Sequence, residues 1–320
     1  MATERRALLD RDSFGPLTEP FRRDLLLHCY RFTGSVTDAE DLVQETLARA
    51  WRGRATYRGE AGLRTWLRRI ATRACVDAGR RQRSRRTLPS DVGSSEAADV
   101  LWLEPMPEHL VADAVGDPAA AYEARESISL AFLAALQHLP PRQRAVLILR
   151  DVLALQASEA AAHLQISVSA VNSLLHRARR TMRQHYDQPT ATAEHDPQLA
   201  DLLGRYVRAW ESGDIGALLA ILKADAILEM PPTPWAAIGH SAIRAFLSDA
   251  VLDGTPGRWR GVTSVANGGP AVALYALDGE GYRFTGMQLL RAEGGAIATI
   301  TAYMDAALAS RFRLPPVLAG

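Results

Sequence analysis

Apolar residues in this chain recur at helical spacing as far as Leu222 and mostly at strand spacing beyond it, and that change of period dictates more than one kind of domain. Three helical stripes come first: Leu25, Leu26, Cys29, Tyr30; then Leu42, Val43, Thr46, Leu47, Ala50, Trp51; then Leu63, Trp66, Leu67, Ile70, Ala74. Thr37 followed by Glu40 has the capping-box spacing and predicts a helix start at Thr37-Asp38. A second helical block holds Ile128, Leu130, Leu133, Leu136 and Leu139, stops at Pro140-Pro141, and resumes over Arg142–Leu153. After two more stripes, Leu199–Trp210 and Ile215–Leu222, strands are predicted at Ala226–Met230, 259–266, 271–277, 282–291 and 296–304, with a helix at Ser241–Val251. The Gly-rich turns Asn267-Gly268-Gly269, Asp278-Gly279-Glu280-Gly281 and Glu293-Gly294-Gly295 make those strands an antiparallel meander. The predicted fold class is multidomain: two all-α domains followed by an α+β cone, consistent with 320 residues at roughly 150 per domain.

Charge marks the boundaries. The net charge of +1 hides 19 arginines against 11 acids over residues 1–88 and one arginine against 8 acids over 89–125. Residues 87–125 therefore read as an acidic linker between domains 14–86 and 126–186, with Leu101–Pro105 as a short anchored piece and Trp102 tucked against a neighbouring domain. A last domain spans 197–312. Cys29 and Cys75 lie in apolar helical patterns without CxxC or Cys/His spacing, so neither a disulfide framework nor a metal is indicated, and no cofactor is called for. A charged N-terminus and the lack of an apolar run of ~18 residues point to a cytoplasmic chain that does not engage a membrane.

Two features carry chemistry. From Arg64 to Arg86 nine arginines face only Asp77, an electrostatic footprint for a polyanion. Ala157–Leu164, the turn Gln165-Ile166-Ser167 and Val168–Met182 have helix-turn-helix proportions. The second helix has Ser167 as a natural N-cap and buries Val168, Val171, Leu174, Leu175, Ala178 and Met182, leaving Ser169, Asn172, Ser173, His176, Arg177, Arg179 and Arg180 outward. Small hydrogen-bonding residues early and arginines late suit base reading followed by phosphate grip.

The strings Asp38–Trp51 and Leu63–Thr72 resemble region 2 of bacterial sigma-70-type factors of the extracytoplasmic-function (ECF) group, and Leu139–Leu147 with the helix-turn-helix resembles region 4. The resemblance covers roughly residues 14–186 and implies binding to core RNA polymerase and to promoter DNA. Position by position it implies polymerase contacts from Asp38, Asp41, Gln44 and Glu45. The unpaired −10 strand would fall to Arg58, Arg64, Arg68, Arg69, Arg73, Arg80 and Arg81, and the −35 element to Ser167, Ser169, Asn172, Ser173, His176, Arg177 and Arg180. Arg73 departs from the Asn that many relatives carry, and Trp66 at helical spacing reads as core before it reads as a base-stacking platform.

Ala209–Asp214, Met230–Pro232 and Gly239–Ile243 resemble the SnoaL-like branch of the NTF2-like fold. As a tail on a sigma factor, such a domain implies modulation in cis, with a small-molecule ligand in its pocket and Arg311–Pro316 as a clasp. An enzyme reading would draw a base from Asp225, Glu229, His240, Tyr275, Tyr282 or Asp305, but no two of these have a spacing that specifies a reaction, so the chain reads as a non-enzyme. The alternatives are a pocket enzyme of isomerase or cyclase type bearing DNA-binding helices, and a plain helix-turn-helix repressor.

Overall fold

The computed structural model describes residues 9, 11–59, 61–86, 103–115, 124–186, 197–231, 233, 235–252 and 254–320. They form two compact units, the first containing the helices before residue 187 and the second the helices and sheet after residue 196. Trp102 and most of the acidic linker lie outside the described residues.

The first unit opens with α1 (Phe14–Thr18), α2 (Arg22–Thr33), α3 (Val36–Gly53) and α4 (Leu63–Arg86). Gly34 ends α2 at φ +71°, its N–H on Tyr30 O at 2.7 Å, a left-handed stop that a Cβ would oppose. Ser35 then caps α3 by accepting from the Asp38 N–H at 3.0 Å. This corrects the capping box expected at Thr37. With Gly34 turning the chain into extended backbone at Ser35, the serine reaches the third amide first, and Thr37 lies inside the helix.

Beyond the linker come α5 (Glu108–Val115), α6 (Leu130–Gln137), α7 (Pro141–Leu147), α8 (Ala157–Leu164) and α9 (Val168–His185). The single helix expected over Arg142–Leu153 is divided. Pro141 starts α7 as its first residue, where a missing N–H costs nothing, and the backbone widens into a π-helical turn over Ile148–Val152. The helices before and after the linker share one core, with Tyr30, Leu67, Ile128, Leu133 and Ile148 fully buried. A Cβ at Gly79 of α4 would stand 3.0 Å from Pro141 Cγ, so the two halves touch at a glycine. Across the same contact Arg31 Nε donates to Ser127 Oγ at 2.9 Å, and the Arg144 guanidinium caps two helix ends, donating to Phe32 O on α2 and to Gln137 O on α6.

In the second unit α10 (Pro197–Ser212) and α11 (Ile215–Ala220) precede β1 (Leu222–Glu229), β2 (Ala236–Ile238) and α12 (Gly239–Ala250). Then follow β3 (Trp259–Ala266), β4 (Gly269–Asp278), β5 (Gly281–Glu293), β6 (Ala296–Tyr303), α13 (Ala307–Arg311) and β7 (Val317–Ala319). The sheet order is β2-β1-β6-β5-β4-β3, parallel only between β1 and β6, with β7 added to β5. Register shifts near Thr285 and Arg291 in β5 curve the sheet around α10 and α12, as bulges do. The C-terminal segment that the sequence presents as a clasp closes on its own domain: Phe284 N–H donates to Pro316 O at 3.0 Å and Tyr275 hydroxyl to Pro315 O at 3.1 Å.

Candidate functional site

α3 presents its acidic ridge because its opposite face, Val36, Ala39, Leu42, Val43, Thr46 and Ala50, is buried. Asp38, Asp41 and Gln44 are exposed. Glu45 is half-buried and already engaged: Arg49 lies 2.6 Å away, bridging to Asp77 at 3.0 Å, and Arg81 lies at 3.6 Å. Burial, Glu104 and Asp41 together push the Asp38 carboxyl upward. Glu104 is a functional neighbour that sequence reasoning missed. Its carboxylate accepts from Ser35 Oγ at 3.0 Å, Thr37 N–H at 3.0 Å and Thr37 Oγ1 at 3.1 Å, while Tyr30 hydroxyl donates to its carbonyl at 2.6 Å. Leu103 covers Gly34 so closely that a Cβ there would overlap its Cδ2, so the Leu103–Glu104 piece of the linker is fastened to the start of the ridge helix.

The arginines of α4 up to Arg81, whose side chains are described, divide into three groups. Arg64 and Arg68 converge on Asp24, Arg64 at 3.0 Å and Arg68 through two bonds, one of 2.8 Å. Burial would raise the Asp24 carboxyl, but the Arg68 and Arg64 guanidiniums outweigh it and hold it below its usual range. Arg69 and Arg73 are half-buried where α8 lies against α4, and Arg69 Nε is buried without a partner. Desolvation and the nearby Arg69 lower the Arg73 guanidinium, and burial together with Arg69, Arg73 and Arg68 brings His163 of α8 down to about 4. Arg80 and Arg81 are exposed, as is Arg58 beside Gly59 at φ +71°. Trp66 is half-buried, its ring 5.1 Å from that of Tyr57, and is not a core residue of the Leu67 type.

α8 and α9 form the helix-turn-helix, α9 running past the expected end at Met182 to His185, with Gln165 left-handed at φ 55° in the turn. Ser167 caps α9, accepting from Ala170 N–H at 3.2 Å, and also meets Ser169 Oγ at 2.9 Å. Val171, Leu175, Ala178 and Met182 bury one face, so Ser169, Asn172, Ser173, His176, Arg177 and Arg180 stand exposed together on the other. Arg179 is taken by Asp151 in a two-bond pair at 2.7 and 2.9 Å, a partner that no sequence pattern indicates.

In the second unit a cavity with about 560 Å³ of empty space, its mouth included, lies between α10, α12 and the concave face of the sheet. None of the acids or bases considered from the sequence lines it. Glu229 accepts from Thr301 Oγ1 at 2.7 Å, His240 Nε2 sits 3.3 Å from Leu222 O, Tyr282 hydroxyl donates to Gly257 O, and Asp305 accepts from Ala307 N–H. The polar groups in the lining are Tyr206, Gln288, Thr285 and two indoles.

Residues 17–85 match the Sigma-70 region 2 family, residues 129–182 the Sigma-70, region 4 family, and residues 203–300 the SnoaL-like domain family. The chain is 44% identical to the ECF RNA polymerase sigma factor SigG of Mycobacterium tuberculosis over 96% of its own length and 85% of that protein. It is 33% identical to the ECF RNA polymerase sigma factor SigJ of the same organism over 65% of this chain and 61% of that one. The crystal structure of SigJ has the same fold, with a TM-score of 0.62 at 23% identity, covering 94% of this chain and 99% of that one. Among the described residues no helix is long and apolar enough to cross a membrane. An acidic ridge, an arginine helix and an exposed recognition helix in this order, in a chain so related to SigG, make it a member of the ECF RNA polymerase sigma factors, which bind core polymerase and direct promoter recognition, with a SnoaL-like domain as its last part.

Proposed function

We propose that α9 reads the −35 element, that α3 docks on core polymerase, and that the Arg58 loop and α4 hold the unpaired −10 strand in the cytoplasm. The carrying observation is the exposed row on α9, whose Ser169, Asn172 and Ser173 lie in the first turns and whose Arg177 and Arg180 follow. A helix entering the major groove with that order contacts base edges first and phosphates later. Asp41 and Gln44 are the polymerase contacts with free side chains, whereas Glu45 reaches a partner only by leaving Arg49. Arg80 and Arg81 are open to a strand, and Arg69 and Arg73 become so when α8 leaves α4. The second unit modulates these steps in cis and takes a small-molecule ligand. Its cavity binds without turnover, because among the described residues no carboxylate, histidine, lysine or arginine lines it.

The test is run-off transcription with purified core polymerase from promoters upstream of the chain's own gene, comparing the full chain with Asp41→Arg/Gln44→Arg and Asn172→Ala/Arg177→Ala. The ridge variant is expected to lose both core co-purification and transcript, and the α9 variant to keep core binding and lose transcript. Transcription by both variants at the wild-type level would refute these assignments.

A further inference from the structure

The cavity of the SnoaL-like domain has a donor-rich, uncharged chemistry that narrows what it can hold. Its walls are aromatic and aliphatic: Trp210 and Trp259 meet edge to face at 5.3 Å, Phe246 lies 4.4 Å from Trp235 with the rings tilted by 44°, and Leu274 and Ile300 also line it. Met304, 57% exposed, stands at the mouth.

The polar groups decide the rest. Tyr206 hydroxyl, fully buried, donates to Gln288 Oε1 at 2.5 Å, and Thr285 hydroxyl donates to Leu274 O at 2.8 Å, so both hydroxyl protons are spent. With its oxygen engaged, Gln288 keeps its Nε2 amide as a donor that makes no bond among the described residues. The indole nitrogens of Trp210 and Trp259 are buried and, among the described residues, make no bond of full geometry, Trp210 acting on the Tyr206 oxygen. Burial pushes the Tyr206 phenol well up, so it stays protonated and supplies neither a base nor a charge. An ion brought here would lose its hydration without a counter-charge. A donor on the ligand would compete for oxygens already used, whereas an acceptor meets unspent N–H groups.

We propose that this cavity binds a small, uncharged, planar apolar molecule that carries one hydrogen-bond acceptor, received by Gln288 Nε2 between the walls of Trp210, Trp259 and Phe246. The assignment rests on the reading of this domain as a ligand-binding module and not on the sigma-factor residues of the first unit.

Calorimetric titration of the full-length protein at pH 7.5 into quinoline, naphthalene and 1-naphthoate tests it. Quinoline and naphthalene share shape and differ by one ring-nitrogen acceptor; 1-naphthoate adds a charge. Quinoline is expected to bind one to one and about tenfold tighter than naphthalene, the worth of one net hydrogen bond, with 1-naphthoate weakest. Ala302→Phe, which fills the cavity, is expected to abolish quinoline binding, and Gln288→Met, whose thioether is a weak acceptor for Tyr206 and has no donor, to erase the preference for quinoline. Equal binding of quinoline and naphthalene, tighter binding of 1-naphthoate, quinoline binding that survives Ala302→Phe, or no binding of any probe would each overturn the proposal. Core-polymerase co-purification measured on the same preparations separates these outcomes from a failure of the sigma-factor assignments, and the wild-type series does not depend on any variant folding.

Discussion

Asp24→Asn tests whether Arg64 and Arg68 serve the fold or the nucleic acid. Asp24 is a buried carboxylate with two guanidiniums on it, and removing its charge leaves both cations without a counterion. Breaking a fully buried pair costs about 3–5 kcal/mol. Here the Arg64 side chain is 51% exposed and that of Arg68 24%, so water recovers part of the loss and about 2 kcal/mol remains. For a unit of this size that is a fall of roughly 4–8 °C in melting temperature. Arg31, buried and lowered to about 10 by desolvation and by Arg68, worsens the imbalance, so Arg31→Met in the Asp24→Asn background is expected to recover part of the loss.

The assay is thermal unfolding followed by circular dichroism, paired with single-stranded DNA binding across a salt series. If Asp24 occupies Arg64 and Arg68, its loss frees two cations for phosphates, and the slope of log K against log salt steepens by up to about 1.4. A melting temperature within 1 °C of wild type would show that the pairs contribute nothing to stability. An unchanged slope together with a lowered melting temperature would show that both arginines already reach DNA when it binds, and would refute their purely structural role.

Three further outcomes are expected. His28, brought down to about 3 by burial and by Arg68 and Arg31, and His163, at about 4, stay neutral in the fold while an unfolded histidine protonates near 6.5. Both folded values are depressed, so their stability is complete above about pH 6.5 and is lost as pH falls toward 4; at pH 5 each costs about 2 kcal/mol, and a urea midpoint equal at pH 7.5 and pH 5 would refute this. Gly34→Ala, strained at φ +71° and overlapping Leu103, is expected to release the linker from α3 and lower the melting temperature by several degrees, with cleavage at Leu103–Pro105 by added protease as the readout. Ser167→Ala removes the α9 cap at about 1 kcal/mol and is expected to weaken promoter binding without altering core binding, measured by gel shift and co-purification.

Legibility followed the physics of each element. The helix-turn-helix was readable in its start, turn and cap because a buried stripe at helical spacing and a capping serine act locally, whereas the last turn to His185 and the exposure of Val168 were not. The strands of the meander were readable because glycine turns act locally too, although β2 and β7 were not, being three-residue strands whose pairing with β1 and β5 is decided by distant partners. The ridge on α3 was legible as a face and Leu101–Pro105 as an anchored piece, but the bond from Thr37 to Glu104, 67 residues away, was not. In the same way a count of arginines shows a polyanion footprint and hides which of them a single aspartate has claimed. Gln288 in the cavity was invisible, since an amide in a strand carries no pattern until Tyr206 is placed beside it.

The covered arginines raise the question of what α8 does on α4. Arg69 and Arg73 are pressed toward a helix that turns a neutral imidazole to them, while its carboxylate, Glu159, accepts from the Gln156 amide at the helix start, and one guanidinium nitrogen is left unpaired. Like charges brought together under partial desolvation weaken the contact that covers them, and a phosphate strand supplies the missing counter-charge only once α8 has moved away. If Arg69 and Arg73 hold the −10 strand as proposed, the packed form and DNA compete for the same two cations, and anything that compensates them inside the protein must cost DNA affinity. His163→Glu places a carboxylate among Arg68, Arg69 and Arg73. After the desolvation of the new charge is offset, the net gain to the packed form is about 1 kcal/mol, a factor of about five. The variant is expected to unfold at a higher temperature and to bind a −10 single strand about fivefold more weakly, with Asn172-dependent duplex binding by α9 unchanged. Tighter strand binding, or a raised melting temperature with no loss of strand affinity, would mean that Arg69 and Arg73 do not hold the strand.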